Sequence, residues 1–150
     1  MILKTGAADS TLDDKGRVNI PTRFRDHFQG ELIITWGIER CAWIMTPEVW
    51  ERFEKALRNS EMFNQEERLI LEDKHLNKAQ VVELDKAGRI PIAPTIRRYA
   101  NLARDCMVIR SENRLSIWDT GTYYAYLAEK DQIARDAMNK LGTQDIFRMA

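Results

Sequence analysis

The sequence predicts an α+β fold, mainly β, in which two copies of one strand-rich unit share a core. The first observation behind this is a duplication. Leu12-Asp13-Asp14-Lys15-Gly16-Arg17-Val18-Asn19-Ile20-Pro21 returns as Leu84-Asp85-Lys86-Ala87-Gly88-Arg89-Ile90-Pro91-Ile92-Ala93. The second is the strand-like alternation of apolar and polar residues after each Gly-Arg. The third is that each unit carries only four short strands, too few to enclose much core alone. Two copies related by a pseudo-twofold axis therefore interlock their strands into one barrel, a single composite domain rather than two beads.

Within the first copy, Met1 to Ser10 reads as an edge strand or arm. Lys15-Gly16 makes a tight turn where glycine permits a positive φ. Val18 and Ile20 then share one strand face, and Pro21 ends the strand. Thr22 is the expected cap of a short helix that turns Phe24 and Phe28 to the core. Leu32 to Ile38, with Trp36, and Cys41 to Met45 read as a strand pair joined by Gly37 to Arg40. Thr46-Pro47-Glu48 is a strong helix start: an N-cap threonine, a proline in the first turn, an acid at the positive end of the dipole. Val49, Trp50, Phe53 and Leu57 form that helix's apolar stripe. Asn64 with Glu67 has the spacing of a capping box, and Leu69, Ile70, Leu71 and Leu76 are expected on the buried side of the next helix.

The second copy repeats the plan. Val81 to Leu84 reads as a strand, Lys86-Ala87-Gly88 as the turn, and Arg89 to Ile92 as the next strand. Pro94-Thr95 starts a short helix with Ile96, Tyr99 and Leu102. Cys106 to Ile109 and Leu115 to Trp118 make the following strand pair. One long helix is expected after Asp119-Thr120, with Tyr123, Leu127, Ala134, Met138 and Leu141 at turn-like spacing. One extra residue in the second copy aligns Ile44-Met45-Thr46-Pro47 with Ile117-Trp118-Asp119-Thr120 and Trp50 with Tyr123. The expected division is repeat 1 at 6–53, a helical linker at 54–78, repeat 2 at 79–126, and a C-terminal helix and tail at 127–150.

Lys and Arg together number 23, as do Asp and Glu, so the formal net charge is zero and no global field draws the chain to nucleic acid. Local windows differ. Lys15, Arg17, Arg23 and Arg25 span a stretch without an acid, and so do Lys86, Arg89, Arg97 and Arg98. A nucleic-acid surface is the favoured reading of the two windows. Asp13 and Asp85 stand four residues before Arg17 and Arg89. Each is expected to pin its turn and orient the arginine fork for a phosphate or a guanine edge. Phosphates fall to Lys15, Arg23 and Arg25, and base edges to Arg17.

The two cysteines, Cys41 and Cys106, are expected to be buried free thiols. His27 and His75 have no second ligand at metal spacing, so no metal or cofactor is expected. No nucleophile–base pair is apparent, and a catalytic role is not expected. The four tryptophans are assigned to the core or a subunit interface. No membrane span or signal peptide is read, which suits a cytosolic protein without membrane or small-molecule partners.

These residues carry a family likeness. Leu12 to Arg17, Pro21-Thr22-Arg23-Phe24-Arg25, Thr46-Pro47-Glu48-Val49-Trp50-Glu51, Leu84 to Arg89 and Ile117-Trp118-Asp119 together resemble the MraZ family of bacterial transcriptional regulators, built from two SpoVT-AbrB-type repeats. The resemblance runs from about Gly6 to Tyr126. It implies a pseudo-symmetric swapped-hairpin, AbrB-like β-barrel with helices outside, and a ring-like homo-oligomer. It further implies double-stranded promoter DNA as partner, with tandem elements ahead of the division and cell-wall gene cluster that holds the regulator's own gene. It places the motif arginines on Arg17 and Arg89, the aspartates on Asp13 and Asp85, the turn glycines on Gly16 and Gly88, and the second basic position on Arg25 and Arg97. The first repeat is taken as the main reading face. The alternative is a protein-interaction module of the antitoxin type, since AbrB-like folds also serve there.

Overall fold

The computed structural model describes residues 1–142. It shows eight strands and five α-helices in a mixed α+β arrangement dominated by sheet. Met1–Thr120 makes one compact unit, and the chain from Gly121 makes a second. The tail expected after residue 142 lies outside the described residues.

The strands are β1 (Gly6–Thr11), β2 (Arg17–Asn19), β3 (Glu31–Trp36), β4 (Ala42–Met45), β5 (Gln80–Glu83), β6 (Arg89–Pro91), β7 (Asp105–Arg110) and β8 (Leu115–Asp119). Six form an antiparallel sheet in the order β1-β7-β8-β4-β3-β5, while β2 and β6 pair with each other. Two of the six ladders, β3–β4 and β7–β8, stay within a repeat. The other four, β1–β7, β2–β6, β3–β5 and β4–β8, cross between repeats. Exchanging the repeats maps this set of ladders onto itself, so the pairing has twofold pseudo-symmetry.

The ladders do not close into the expected barrel. They run as an open six-stranded sheet and a separate two-stranded ribbon. The turns, a Leu12–Val18 bridge and a hydrogen bond from the Ser10 hydroxyl to Asn19 O tie the ribbon to its neighbours. The reason is local: β2 and β6 are three residues long, Pro21 follows shortly after β2, and β6 ends on Pro91, which has no N–H to carry the ladder on.

One core lies between ribbon and sheet. Val18, Ile20, Phe24 and Phe28 meet Ile90, Ile92 and Ile96, closed by Leu32, Ile34, Ile44, Val108, Leu115 and Ile117. Equivalent positions carry equivalent burial. Val18 and Ile90 are both fully buried, as alternation on β2 and β6 demands.

The helices are α1 (Pro47–Asn59), α2 (Gln65–Leu71), α3 (Pro94–Tyr99), α4 (Thr120–Glu129) and α5 (Asp131–Gly142). Thr46 caps α1 through its Oγ1, 3.4 Å from the Val49 N–H, with Pro47 in the first turn. Asn64 and Glu67 form the full capping box of α2. Three expectations are corrected. Thr22 lies inside a 3₁₀ turn, Thr22–Phe24, that begins after Pro21 without a side-chain cap. Leu69 and Ile70 are 57% and 52% exposed rather than buried, because α2 runs into a π-helical turn, Glu72–Leu76, that rotates its inner face. The long helix after Asp119 is two helices divided at Lys130.

Candidate nucleic-acid interface

Each Gly-Arg turn is built around an aspartate. Asp13 Oδ1 accepts from the N–H groups of Lys15 and Arg17, both at 2.9 Å, and Oδ2 accepts from Arg17 Nε at 2.8 Å. Asp85 repeats this: Oδ1 accepts from the N–H groups of Ala87 and Arg89 at 2.9 Å, and Oδ2 from Arg89 Nε at 2.8 Å. Main-chain bonds close each loop, Asp13 N–H to Arg17 O and Asp85 N–H to Arg89 O, both 2.9 Å. Gly16 and Gly88 take φ of 77° and 81° to complete the reversal.

The two turns are brought side by side. The β2–β6 ladder pairs Arg17 with Pro91, Val18 with Ile90 and Asn19 with Arg89. The Ile20 N–H donates to Gly88 O and the Ile92 N–H to Gly16 O, each at 2.8 Å. Three paired residues span about 7 Å, so the turns flank one short ribbon. Arg17 Nη1 then lies 4.0 Å from Asp85 Oδ2, and Arg89 Nη1 lies 3.9 Å from Asp13 Oδ2. Asp13, Arg17, Asp85 and Arg89 thus form a ring of alternating charge with side chains 27–35% exposed. The N–H of Arg17 first, then its side chain, holds Asp13 below the ordinary carboxylate range, and Arg89 does the same for Asp85.

The second pair of arginines crosses between repeats. Arg25 Nε donates to Ile20 O at 2.6 Å and Nη2 to Asn19 Oδ1 at 3.1 Å. Its guanidinium covers Gly88 so closely that a Cβ there would sit 2.1 Å from Arg25 Cζ. Arg97 Nη1 donates to Ile92 O at 2.8 Å and covers Gly16, where a Cβ would sit 1.8 Å from that nitrogen. Both arginines are half-buried, and each clamps the opposite turn.

Lys15 and Lys86 are exposed on the turns and form no ion pair among the described residues. Arg23 is also exposed, with Nη2 2.7 Å from Ala7 O and its guanidinium 4.9 Å over the Phe24 ring. The sequence motif thus divides into an anchored ring (Asp13, Arg17, Asp85, Arg89), two clamps (Arg25, Arg97) and outward cations (Lys15, Lys86, Arg23). Sequence reasoning missed Asn19, which holds Arg25. Its outward place on β2 was legible in the alternation, but its partner was not.

Among the described residues, no group of three or more His, Cys, Asp or Glu side chains is placed to hold a metal ion. No helix among them is long and apolar enough to cross a membrane. Cys41 and Cys106 are buried free thiols, pushed up by burial to about 12 and about 11.

The family model described as "MraZ protein, putative antitoxin-like" matches residues 3–73 and 76–143, one match on each half of the chain. Proteins named "Transcriptional regulator MraZ" from two strains of Treponema pallidum, one of subspecies pallidum and the other the Nichols strain, are each 38% identical over 129 residues. Those alignments cover 85% of this chain and 86% of each relative. With two family matches spanning both repeats, and a paired Asp-x-x-x-Arg turn in each, the chain belongs to the MraZ family.

Proposed function

We propose that this chain is a sequence-specific DNA-binding transcription regulator, a binding protein rather than an enzyme. The observation that carries the reading is the β2–β6 ribbon, which sets two Gly-Arg turns beside each other with cations on their outer side. Lys15, Lys86 and Arg23 hold phosphates. Arg17 and Arg89, their Nε groups fixed by Asp13 and Asp85, present the rest of the fork to base edges. Arg25 and Arg97 add positive potential while keeping Gly16 and Gly88 in place. The name carried by the Treponema relatives and the family membership support the regulatory role.

One protomer offers few such contacts on a chain of zero net charge, so its own grip is weak. Several protomers in a ring, each meeting one element of a tandem promoter repeat, multiply that grip through effective concentration. The elements then lie about 10 bp apart, one helical turn. The target is the promoter of the division and cell-wall cluster containing the regulator's own gene, and the effect is repression, in the cytoplasm on the nucleoid.

The test is anisotropy of a fluorescent tandem-repeat promoter fragment across a salt series, with native mass measured in parallel. Lys15→Ala/Lys86→Ala, at exposed turn positions that leave the ring intact, is expected to weaken binding and reduce the log–log salt slope by about 0.9 for each phosphate that is no longer neutralised. Equal affinity and slope in the variant would overturn the assignment. The family description also favours a second reading, an interaction module of the antitoxin type. A stoichiometric protein partner, together with absence of salt-dependent promoter binding, is the result that would establish it.

A further inference from the structure

The connection between the repeats builds a cavity that DNA binding does not use. Helix α1, the loop after it, α2 and the β3–β4 hairpin line a partly open pocket of about 300 Å³. Its walls include Trp43, Phe53, Leu57, Phe63 and Leu71, and the one imidazole among them is His75. The π-helical turn at Glu72–Leu76 puts it there. The widened turn lets consecutive residues, His75 and Leu76, both be buried, at 4% and 8% exposure.

His75 is half satisfied. Its Nδ1 lies 2.8 Å from the carbonyl oxygen of Trp36, and a carbonyl only accepts, so Nδ1 carries the proton. In the neutral ring Nε2 is then a bare acceptor. It has no hydrogen-bond partner among the described residues, yet it is absent from the polar atoms sealed away from solvent. Nε2 therefore keeps some solvent contact, and a bound molecule with a donor would take the place of water on it. The Trp43 ring lies nearly parallel to the imidazole, 18° apart with centroids at 5.9 Å, and carries the Arg114 guanidinium 4.5 Å from its centroid, so the aromatic lining comes from Trp43 together with Phe53 and Phe63.

We propose that this cavity binds a small, flat, apolar molecule with one hydrogen-bond donor, which it directs at His75 Nε2. The volume is at the lower end for ligand sites and fits one or two fused rings rather than a peptide. The proposal is independent of the DNA reading, since no residue in it belongs to the turns.

Indole and its N–H-less isostere indene are suitable probes, titrated to about millimolar into isotope-labelled full-length protein without DNA. Expected are saturable NMR shifts at Trp43, Leu57, Leu71 and the His75 ring nitrogens, with indene about five-fold weaker, the weight of one net hydrogen bond. Ala56 and Met62 line the cavity from exposed positions. Ala56→Trp or Met62→Trp is expected to fill it and abolish the shifts, with the Gly16 and Gly88 amides unmoved. No saturable shift at these residues, equal affinity for both probes, or binding that survives both substitutions overturns the proposal.

Discussion

Gly16 and Gly88 each meet two demands at once. Their φ of 77° and 81° is left-handed, and the space a side chain would take is filled by the guanidinium of Arg97 or Arg25. Gly16→Ala and Gly88→Ala are therefore each expected to destabilise by about 1–2 kcal/mol from the dihedral, plus the cost of displacing the arginine. Urea denaturation measures this, and Gly16→Asn, which tolerates the dihedral better, isolates the crowding. Midpoints matching the parent would refute the close approach. The ring of charge makes a pH prediction. Asp13 and Asp85 have folded pKa values lowered by bonds from Arg17 and Arg89. Their contribution is therefore present above the ordinary carboxylate value, about 4, and lost as pH falls through the lower folded value. Stability is expected to drop on acidification more steeply in the parent than in Asp13→Asn/Asp85→Asn; parallel profiles would exclude the ring from that drop. At this scale the motif was readable, because Asp, Gly and Arg at fixed offsets dictate the turn locally. The clamping role of Arg25 and Arg97 was not, since each bonds within its own repeat while covering a glycine of the other.

The elements follow local chemistry closely wherever that chemistry is sufficient. The start of α1 was legible because Thr46, Pro47 and Glu48 satisfy the same helix end in three ways. Thr46→Ala is expected to cost about 1 kcal/mol in thermal or urea denaturation, and less than a few tenths would mean the 3.4 Å contact from Val49 contributes nothing. The inner face of α2 was misread for a specific reason. A 3.6-residue period carries Leu69 and Ile70 inward, but the π-helical turn at Glu72–Leu76 adds a residue and brings Leu71, His75 and Leu76 round instead. No propensity signals such a turn. The division between α4 and α5 is equally silent in the apolar spacing. Lys130 N–H still bonds Tyr126 O and Ala134 N–H still bonds Lys130 O, so the bend interrupts the helix without losing its hydrogen-bond pattern.

At the scale of the whole molecule, duplication was plain in the sequence, but which strands pair across it was not. Alternation fixes which face of a strand is buried and says nothing about its neighbour. The answer, four ladders of six crossing between repeats, has a consequence for cooperativity. A fragment of residues 1–61 keeps only the β3–β4 ladder, because β1 pairs solely with β7 and β2 with β6. Val18 and Ile20 likewise lose Ile90 and Ile92, which share their core. A two-stranded hairpin with half a core is marginal in water. Fragments 1–61 and 62–150 are therefore each expected to lack a cooperative melt at micromolar concentration. Mixed in equal amounts, they are expected to regain one whose midpoint rises with concentration, as mass action requires of a folded state made from two chains. The similarity of the repeats adds a second expectation: at high concentration 1–61 associates with itself, a second copy supplying the strands that the other repeat provides. A monomeric 1–61 with a sharp, concentration-independent transition would show that the repeat is a self-sufficient fold, and that the crossed ladders hold together two domains rather than create one.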